Sequence, residues 1–188
     1  MTQHPNLLTT ENSVLLLVDI QERLIQAMPE AAAEDMLEYS ARLTEAANLL
    51  DIPVFLTEQY PQGLGTTVDI LNEKLSASTQ RFEKTSFSCV AVDAFMQALK
   101  QSGRKQVIIA GQETHVCILQ TALELIQQGY QVHILEDTCC SRKAEHKFYA
   151  LQRLQQQGAT ISNFESVLFE WLRDAQNPRF SALSQLLR

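Results

Sequence analysis

Residues 106–128 read QVIIAGQETHVCILQTALELIQQ, and this stretch decides the fold class. Val107, Ile108, Ile109 and Ala110 form an apolar run without polar alternation, the pattern of a strand buried on both faces. Gly111 breaks the run where a tight backbone is needed. From Val116 onward, Ile118, Leu119, Ala122, Leu123 and Ile126 recur at helical spacing. Cys117 therefore falls near the first turn of a helix, just beyond the carboxyl end of a parallel strand, where open α/β sheets seat ligands. Two readings stand for it. Unpaired N–H groups and the helix dipole favour a thiolate and a lowered pKa there. A free cysteine also serves simply as a small buried hydrophobe.

The alternation of strand and helix continues on both sides of this stretch. Ser13–Asp19, Pro53–Thr57, Gln131–Glu136 and Ala159–Ser162 read as strands, with a weaker one in the mixed segment 78–88. Met28–Leu50, Ala91–Gln101 and Ala144–Gln157 read as helices, and Val68–Leu75 as a short one. Gly129 reads as a helix C-cap, and Asp137–Arg142 as the loop after the fifth strand. Strands separated by single helices predict a parallel sheet with helices on both faces, joined by right-handed crossovers in one domain spanning 1–188. Two closing amphipathic helices, about 165–174 and 178–187, carry Trp171, Phe180, Leu183, Leu186 and Leu187. Those apolar positions cover either the sheet or a partner subunit.

Composition narrows the class. With 188 residues, 45% of them hydrophobic, and only 5 prolines and 6 glycines, the chain suits one globular domain with a full core. The net charge of −7, with scattered basic residues, argues against nucleic acid and anionic membrane as partners. MTQHPNLLTTENS has no basic region followed by an apolar core, so no signal peptide is expected, and no apolar run reaches the roughly 20 residues of a membrane span. Cys89, Cys117, Cys139 and Cys140 then read as free thiols in a reducing cytoplasm. Adjacent Cys139 and Cys140 lack the CxxC spacing of a metal or redox pair.

Two more residues stand out. Asp19 closes a buried strand at the sheet edge that Cys117 occupies, as a functional carboxylate or as a cap for the next segment. Lys84 lies between Phe82 and Phe87, as a fixed cation beside a reacting group or as a surface lysine lying over aromatics. The loop EQYPQGLGTT carries Tyr60 and no phosphate-loop pattern; it lines a pocket or is a solvated turn.

LLLVDIQ around Asp19, FEKTSFS around Lys84 and AGQETHVCILQTALEL around Cys117 together resemble the isochorismatase-like cysteine hydrolase superfamily. TEQYPQGLG and EDTCCSR resemble its isochorismatase-domain-containing subgroup, and the likeness runs from about Ser13 to Phe169. The resemblance implies a three-layer, Rossmann-like α/β sandwich with a six-stranded parallel sheet. It also implies a triad of Cys117 as nucleophile, Asp19 as base, and Lys84 as the cation that orients Asp19 and stabilises the thiolate. A cis peptide at Gln112–Glu113 is implied too, with the backbone N–H groups of Glu113 and Cys117 as oxyanion donors, and a homo-oligomer. Gln21, Tyr60, Phe87 and His115 are the candidate pocket residues within these motifs.

The chain departs from its zinc-binding relatives. Nicotinamidases of the superfamily place a DxH pair after the second strand, where this chain reads Thr57-Glu58-Gln59-Tyr60. His4, His115, His133 and His146 have no ligand spacing, so no metal or other cofactor is expected. Isochorismatases proper cleave a vinyl ether and do not need the thiol, so Cys117 points to amide or related carbonyl chemistry on a small molecule. The alternatives are an Asp19-dependent hydrolase without covalent catalysis, and a non-catalytic oligomeric scaffold.

Overall fold

The apolar runs build the sheet. The computed structural model describes residues 4–188; the first three residues, part of the stretch read as lacking a leader, lie outside them. The strands are β1 (Ser13–Val18), β2 (Val54–Gln59), β3 (Gln80–Lys84), β4 (Gln106–Gln112), β5 (Gln131–Cys140) and β6 (Thr160–Ser162). All pair in parallel in the order β3-β2-β1-β4-β5-β6. The helices between and after them are α1 (Glu22–Ile25), α2 (Glu30–Leu49), α3 (Pro61–Leu64), α4 (Asp69–Asn72), α5 (Asp93–Gln101), α6 (Leu119–Gln127), α7 (Ala144–Gln156), α8 (Phe164–Leu172) and α9 (Phe180–Ser184).

Two cores flank the sheet because neighbouring strand residues point to opposite faces. Leu15, Leu17, Ile108 and Ala110 join Met36, Leu43, Leu168 and Trp171 on the α2/α8 side. Val14, Leu16, Val18, Val107 and Ile109 join Phe95, Ile118, Leu125 and Leu154 on the α5/α6/α7 side. The closing segment covers this chain's own core: Leu183 and Trp171 are buried, the Trp171 indole donates to Ser13 Oγ at 3.0 Å, and Phe180, Leu186 and Leu187 pack against the same cluster.

Strand order reverses direction between β1 and β4, which opens a crevice at their carboxyl ends. Gly111 is paired with Val18 there and has φ +126°; a Cβ would sit 2.1 Å from the Val18 carbonyl oxygen. Only glycine lets the two backbones approach so closely.

Two stretches differ from expectation. β5 runs on through Cys140, because the ladder with β4 shifts register between Ile109 and Gly111 and then resumes at Gly111–Cys139 and Gln112–Cys140. Cys139 and Cys140 are therefore buried strand residues, not loop residues beside a pocket. Asp137 and Thr138, which read as the start of a loop, are absorbed by this irregularity. The helix after β4 begins with a π-helical turn, Thr114–Ile118, so Cys117 precedes the regular helix α6.

Candidate active site

Four strand ends supply the site. Asp19 follows β1 with φ 53° and is fully buried. Its N–H donates to the Thr57 carbonyl at 3.1 Å, and its own carbonyl accepts from Gln112 Nε2 at 3.1 Å. Thr57 Oγ1 donates to Asp19 Oδ1 at 2.8 Å, and Lys84 Nζ donates to Asp19 Oδ2 at 2.6 Å.

Lys84 is the last residue of β3 and its side chain has no exposure. Besides Asp19, its ammonium meets Gln59 Oε1 at 2.7 Å, the Phe87 carbonyl at 3.0 Å and the Ser86 carbonyl at 3.2 Å. Burial by itself would push the ammonium's pKa down. The Asp19 carboxylate outweighs it, aided by the nearby Cys89 and Cys117, and the lysine stays charged with its pKa above the ordinary value. The reading of Lys84 as a surface side chain over aromatics is therefore set aside.

Cys117 reaches this pair from the opposite side of the crevice. Its thiol is near enough to Asp19 and Lys84 to feel both charges, and it lines a cavity of about 280 Å³ with Leu24, Gln59, Leu64, Phe87, Glu113, Val116 and Arg142. The expected lowering of its pKa does not occur. Burial pushes the thiol well up, the Asp19 carboxylate adds to this, and Lys84 offsets only part of it. The resting group is a neutral thiol beside a carboxylate. Helix-end effects of well under a unit of pKa cannot outweigh desolvation of a largely buried sulfur.

The other thiols are held inert. Burial raises Cys89 to about 11 and Cys139 and Cys140 each to about 12. Cys89 nevertheless borders the site, its Sγ 3.7 Å from Thr57 Oγ1.

The peptide bond Gln112–Glu113 is cis. The Glu113 carboxylate forks onto Arg142, with Oε1 to Nη2 at 2.7 Å and Oε2 to Nε at 3.0 Å, and also accepts the Arg142 N–H at 3.1 Å. Burial opposes the Glu113 charge, but the Arg142 contacts prevail and hold its pKa below the ordinary range. A charged pair thus walls one side of the cavity, with Leu24, Leu64, Phe87 and Val116 as its apolar lining.

Of the four residues expected to line the pocket, Phe87 does so. Gln21 is fully buried and acts as a backbone clamp, donating to the Gln59 and Gly65 carbonyls at 3.0 and 2.7 Å and accepting the Gln59 N–H at 2.6 Å. Tyr60 adopts φ 37° and lines a neighbouring groove with Pro61, Gln62, Thr85 and Lys84, not the Cys117 cavity. His115 is not among the residues lining that cavity; its Nδ1 lies 3.0 Å from Ser141 Oγ and 4.0 Å from Glu113 Oε2, and its ring is 4.5 Å from that of His146. One residue of offset around a helical turn separates His115 from the lining residue Val116.

Thr57 and Gln59 do not stand out as site residues in the sequence, because their segment reads as a strand running out into a loop. The available signal was period two: Thr57 and Gln59 face the site, while Glu58 between them turns away to Thr67 and Arg81. Among the described residues, no group of three or more His, Cys, Asp or Glu side chains is arranged to hold a metal ion.

An all-parallel sheet in this order, with a thiol, a carboxylate and a lysine gathered at its switch point, defines an α/β protein of the Rossmann-like hydrolase type. The isochorismatase domain model matches residues 13–166, and the chain belongs to the isochorismatase family of hydrolases. It is 39% identical over 178 residues to bovine (Bos taurus) isochorismatase domain-containing protein 2, covering 94% of this chain and 83% of that one. A Caenorhabditis elegans structure described as MAR1 ribonuclease superposes with a TM-score of 0.90 at 33% identity, covering 96% of this chain and 91% of the other. The Escherichia coli YcaC gene product, described as an octameric hydrolase of unknown specificity, superposes with a TM-score of 0.89 at 25% identity over 99% and 91% of the two chains.

Proposed function

We propose that the whole chain is one metal-independent cysteine hydrolase domain that cleaves a small amide or related carbonyl compound through a thioester acyl-enzyme. The observation that carries this reading is the placement of Cys117 on a cavity wall, beside an Asp19 carboxylate already neutralised by Lys84. The residues fit the chemistry in sequence. Asp19 takes the Cys117 proton as sulfur attacks the carbonyl carbon, so that the thiolate exists only as the C–S bond forms. The backbone N–H groups of Glu113 and Cys117 receive the developing oxyanion. Collapse breaks the C–N bond, and Asp19 returns its proton to the departing amine. Asp19 then deprotonates water, which attacks the thioester, and the carboxylic acid leaves as the thiol is restored. Lys84 stays protonated throughout and balances whichever of Asp19 or Cys117 carries the negative charge.

The raised Cys117 pKa supports general-base activation over a preformed thiolate. The fully charged, occupied Lys84 supports a fixed electrostatic role and not proton transfer. A small substrate suits the cavity of about 280 Å³. Its apolar lining and the paired Glu113–Arg142 wall suit a compact neutral amide better than a polyanion. Four free cysteines fit the reducing cytoplasm, and among the described residues no helix is long and apolar enough to cross a membrane. A homo-oligomer is supported by the octamer described for the Escherichia coli protein and by the outward Phe148 and Tyr149, 55% and 66% exposed on α7.

The test is a screen of small amides with Cys117→Ala as the blank. Release of amine by the wild type, with a trapped thioester on the Cys117 peptide by mass spectrometry, is the expected result. Turnover that survives Cys117→Ala but not Asp19→Asn would replace this reading with non-covalent hydrolysis.

A further inference from the structure

Thr57 holds Asp19 twice. Its carbonyl accepts the Asp19 N–H at 3.1 Å, and its hydroxyl donates to Oδ1 at 2.8 Å. A threonine hydroxyl has one proton, and here it is spent on the carboxylate. The same oxygen can then only accept from the third partner, Cys89, whose Sγ lies 3.7 Å away. The chain of donors has one direction: Cys89 S–H to Thr57 O–H to Asp19. Burial pushes the Cys89 thiol up to about 11, which keeps it a donor across the neutral range. Cys89 is itself anchored to the nucleophile's helix, because its N–H donates to Thr121 Oγ1 at 2.9 Å and Thr121 belongs to α6. All three residues are buried without remainder.

We propose that Thr57, oriented by Cys89, is the positioning residue of the site, fixing the rotation of the Asp19 carboxylate and setting how hard it draws on the Cys117 proton. This rests on the reading of Cys117 and Asp19 as nucleophile and base. The two Asp19 oxygens are dressed differently: Oδ2 by the Lys84 cation, Oδ1 by a neutral hydroxyl. Without the hydroxyl, Oδ1 would lose its donor, and the carboxylate's negative charge would fall more heavily on the thiol. The charged and titratable groups facing Cys117 are Asp19 from the end of β1, Lys84 from β3 and Cys89 from the turn before α5, with Glu113 and Arg142 across the cavity. Nothing in the Thr57 side chain reaches the cavity wall, so it acts through Asp19 alone.

The experiment follows the rate of iodoacetamide alkylation of Cys117 against pH, read by peptide mass spectrometry in the intact protein, and so needs no identified substrate. Thr57→Val, the isosteric change, is expected to slow Cys117 alkylation at pH 7 about tenfold and to move its pH profile upward by about one unit. Thr57→Ser is expected to restore the wild-type profile to within about twofold. Cys89→Ala, which frees the hydroxyl without removing it, is expected to give a smaller shift in the same direction. A mere loss of packing would act oppositely, exposing Cys89, Cys139 and Cys140 to the reagent together. The proposal is overturned if Thr57→Val and Cys89→Ala both leave the Cys117 profile unchanged, if serine does not rescue, or if the other thiols become reactive in step. Failure of wild-type Cys117 to react ahead of the other three would instead remove the nucleophile assignment, and this proposal with it.

Discussion

Lys84 Nζ lies 2.6 Å from Asp19 Oδ2, and both side chains are wholly withdrawn from water. Each charge has lost its hydration and depends on the other, with Thr57, Gln59 and two carbonyls completing the shell. Such a pair is a poor source of stability but a strict constraint on geometry.

Removing one partner leaves an uncompensated buried charge. Lys84→Met alone is expected to lower unfolding free energy by about 3–5 kcal/mol, and the double variant Asp19→Leu with Lys84→Met by distinctly less. Urea denaturation midpoints of the three proteins check this. Equal losses in the single and double variants would show the two charges to be uncoupled.

Asp19 raises the Cys117 pKa while Lys84 lowers it. Asp19→Asn should therefore speed alkylation of Cys117 at neutral pH several-fold, yet cut amide turnover by about a hundredfold or more through loss of the base. Lys84→Ala should slow both. Alkylation and turnover measured on the same preparations separate the two effects; a fall of alkylation in Asp19→Asn would show that the carboxylate aids the thiol as a base more than its charge suppresses the thiolate.

His133 on β5 is 1% exposed, and neither ring nitrogen has a hydrogen-bond partner among the described residues. Burial lowers its pKa from 6.5 to about 4. As pH falls, the unfolded chain binds this proton first, so stability is full above about 6.5 and is lost progressively towards 4. The contribution at pH 4.5 is on the order of 2–3 kcal/mol. His133→Leu should flatten the fall in unfolding free energy between pH 7 and 4.5 by that amount. An unaltered pH slope would mean the imidazole protonates without penalty in the folded state.

Gly111→Ala places a Cβ 2.1 Å from the Val18 carbonyl oxygen at φ +126°. The backbone must move, and β1 with it. A loss of about 3 kcal/mol or more is expected, with Asp19 and Cys117 drawn apart. Thermal melting reads the first effect and Cys117 alkylation the second; a variant as stable and as reactive as the wild type would refute the close approach.

Much of this architecture was legible in local pattern. The unbroken apolar runs at Leu15–Val18 and Val107–Ala110 specify strands buried on both faces, and the intervening helices force a parallel sheet. That sheet puts Asp19 and Cys117 at one edge, whatever their side chains do. The end of β5 was not legible, since Glu136-Asp137-Thr138 has the composition of a turn and only the pairing with β4 carries the strand through to Cys140. The helix start at Cys117 was legible, but its π-helical form was not, because periodicity over a single turn does not distinguish the two.

By itself, then, the order of residues determined a parallel α/β sheet, a glycine at its crevice, and three chemically distinctive residues at strand ends, because hydrophobic periodicity and strand polarity are local properties. Tertiary structure alone decided which donors meet Asp19. Thr57 and Lys84 lie 38 and 65 residues along the chain and reach it only through the β1–β2 and β2–β3 ladders. It alone left Gln21, Tyr60 and His115 off the lining of the thiol's cavity. It also decided the sign of the Cys117 pKa shift: sequence reveals a helix start, whereas desolvation depends on how much protein from distant segments closes over the sulfur.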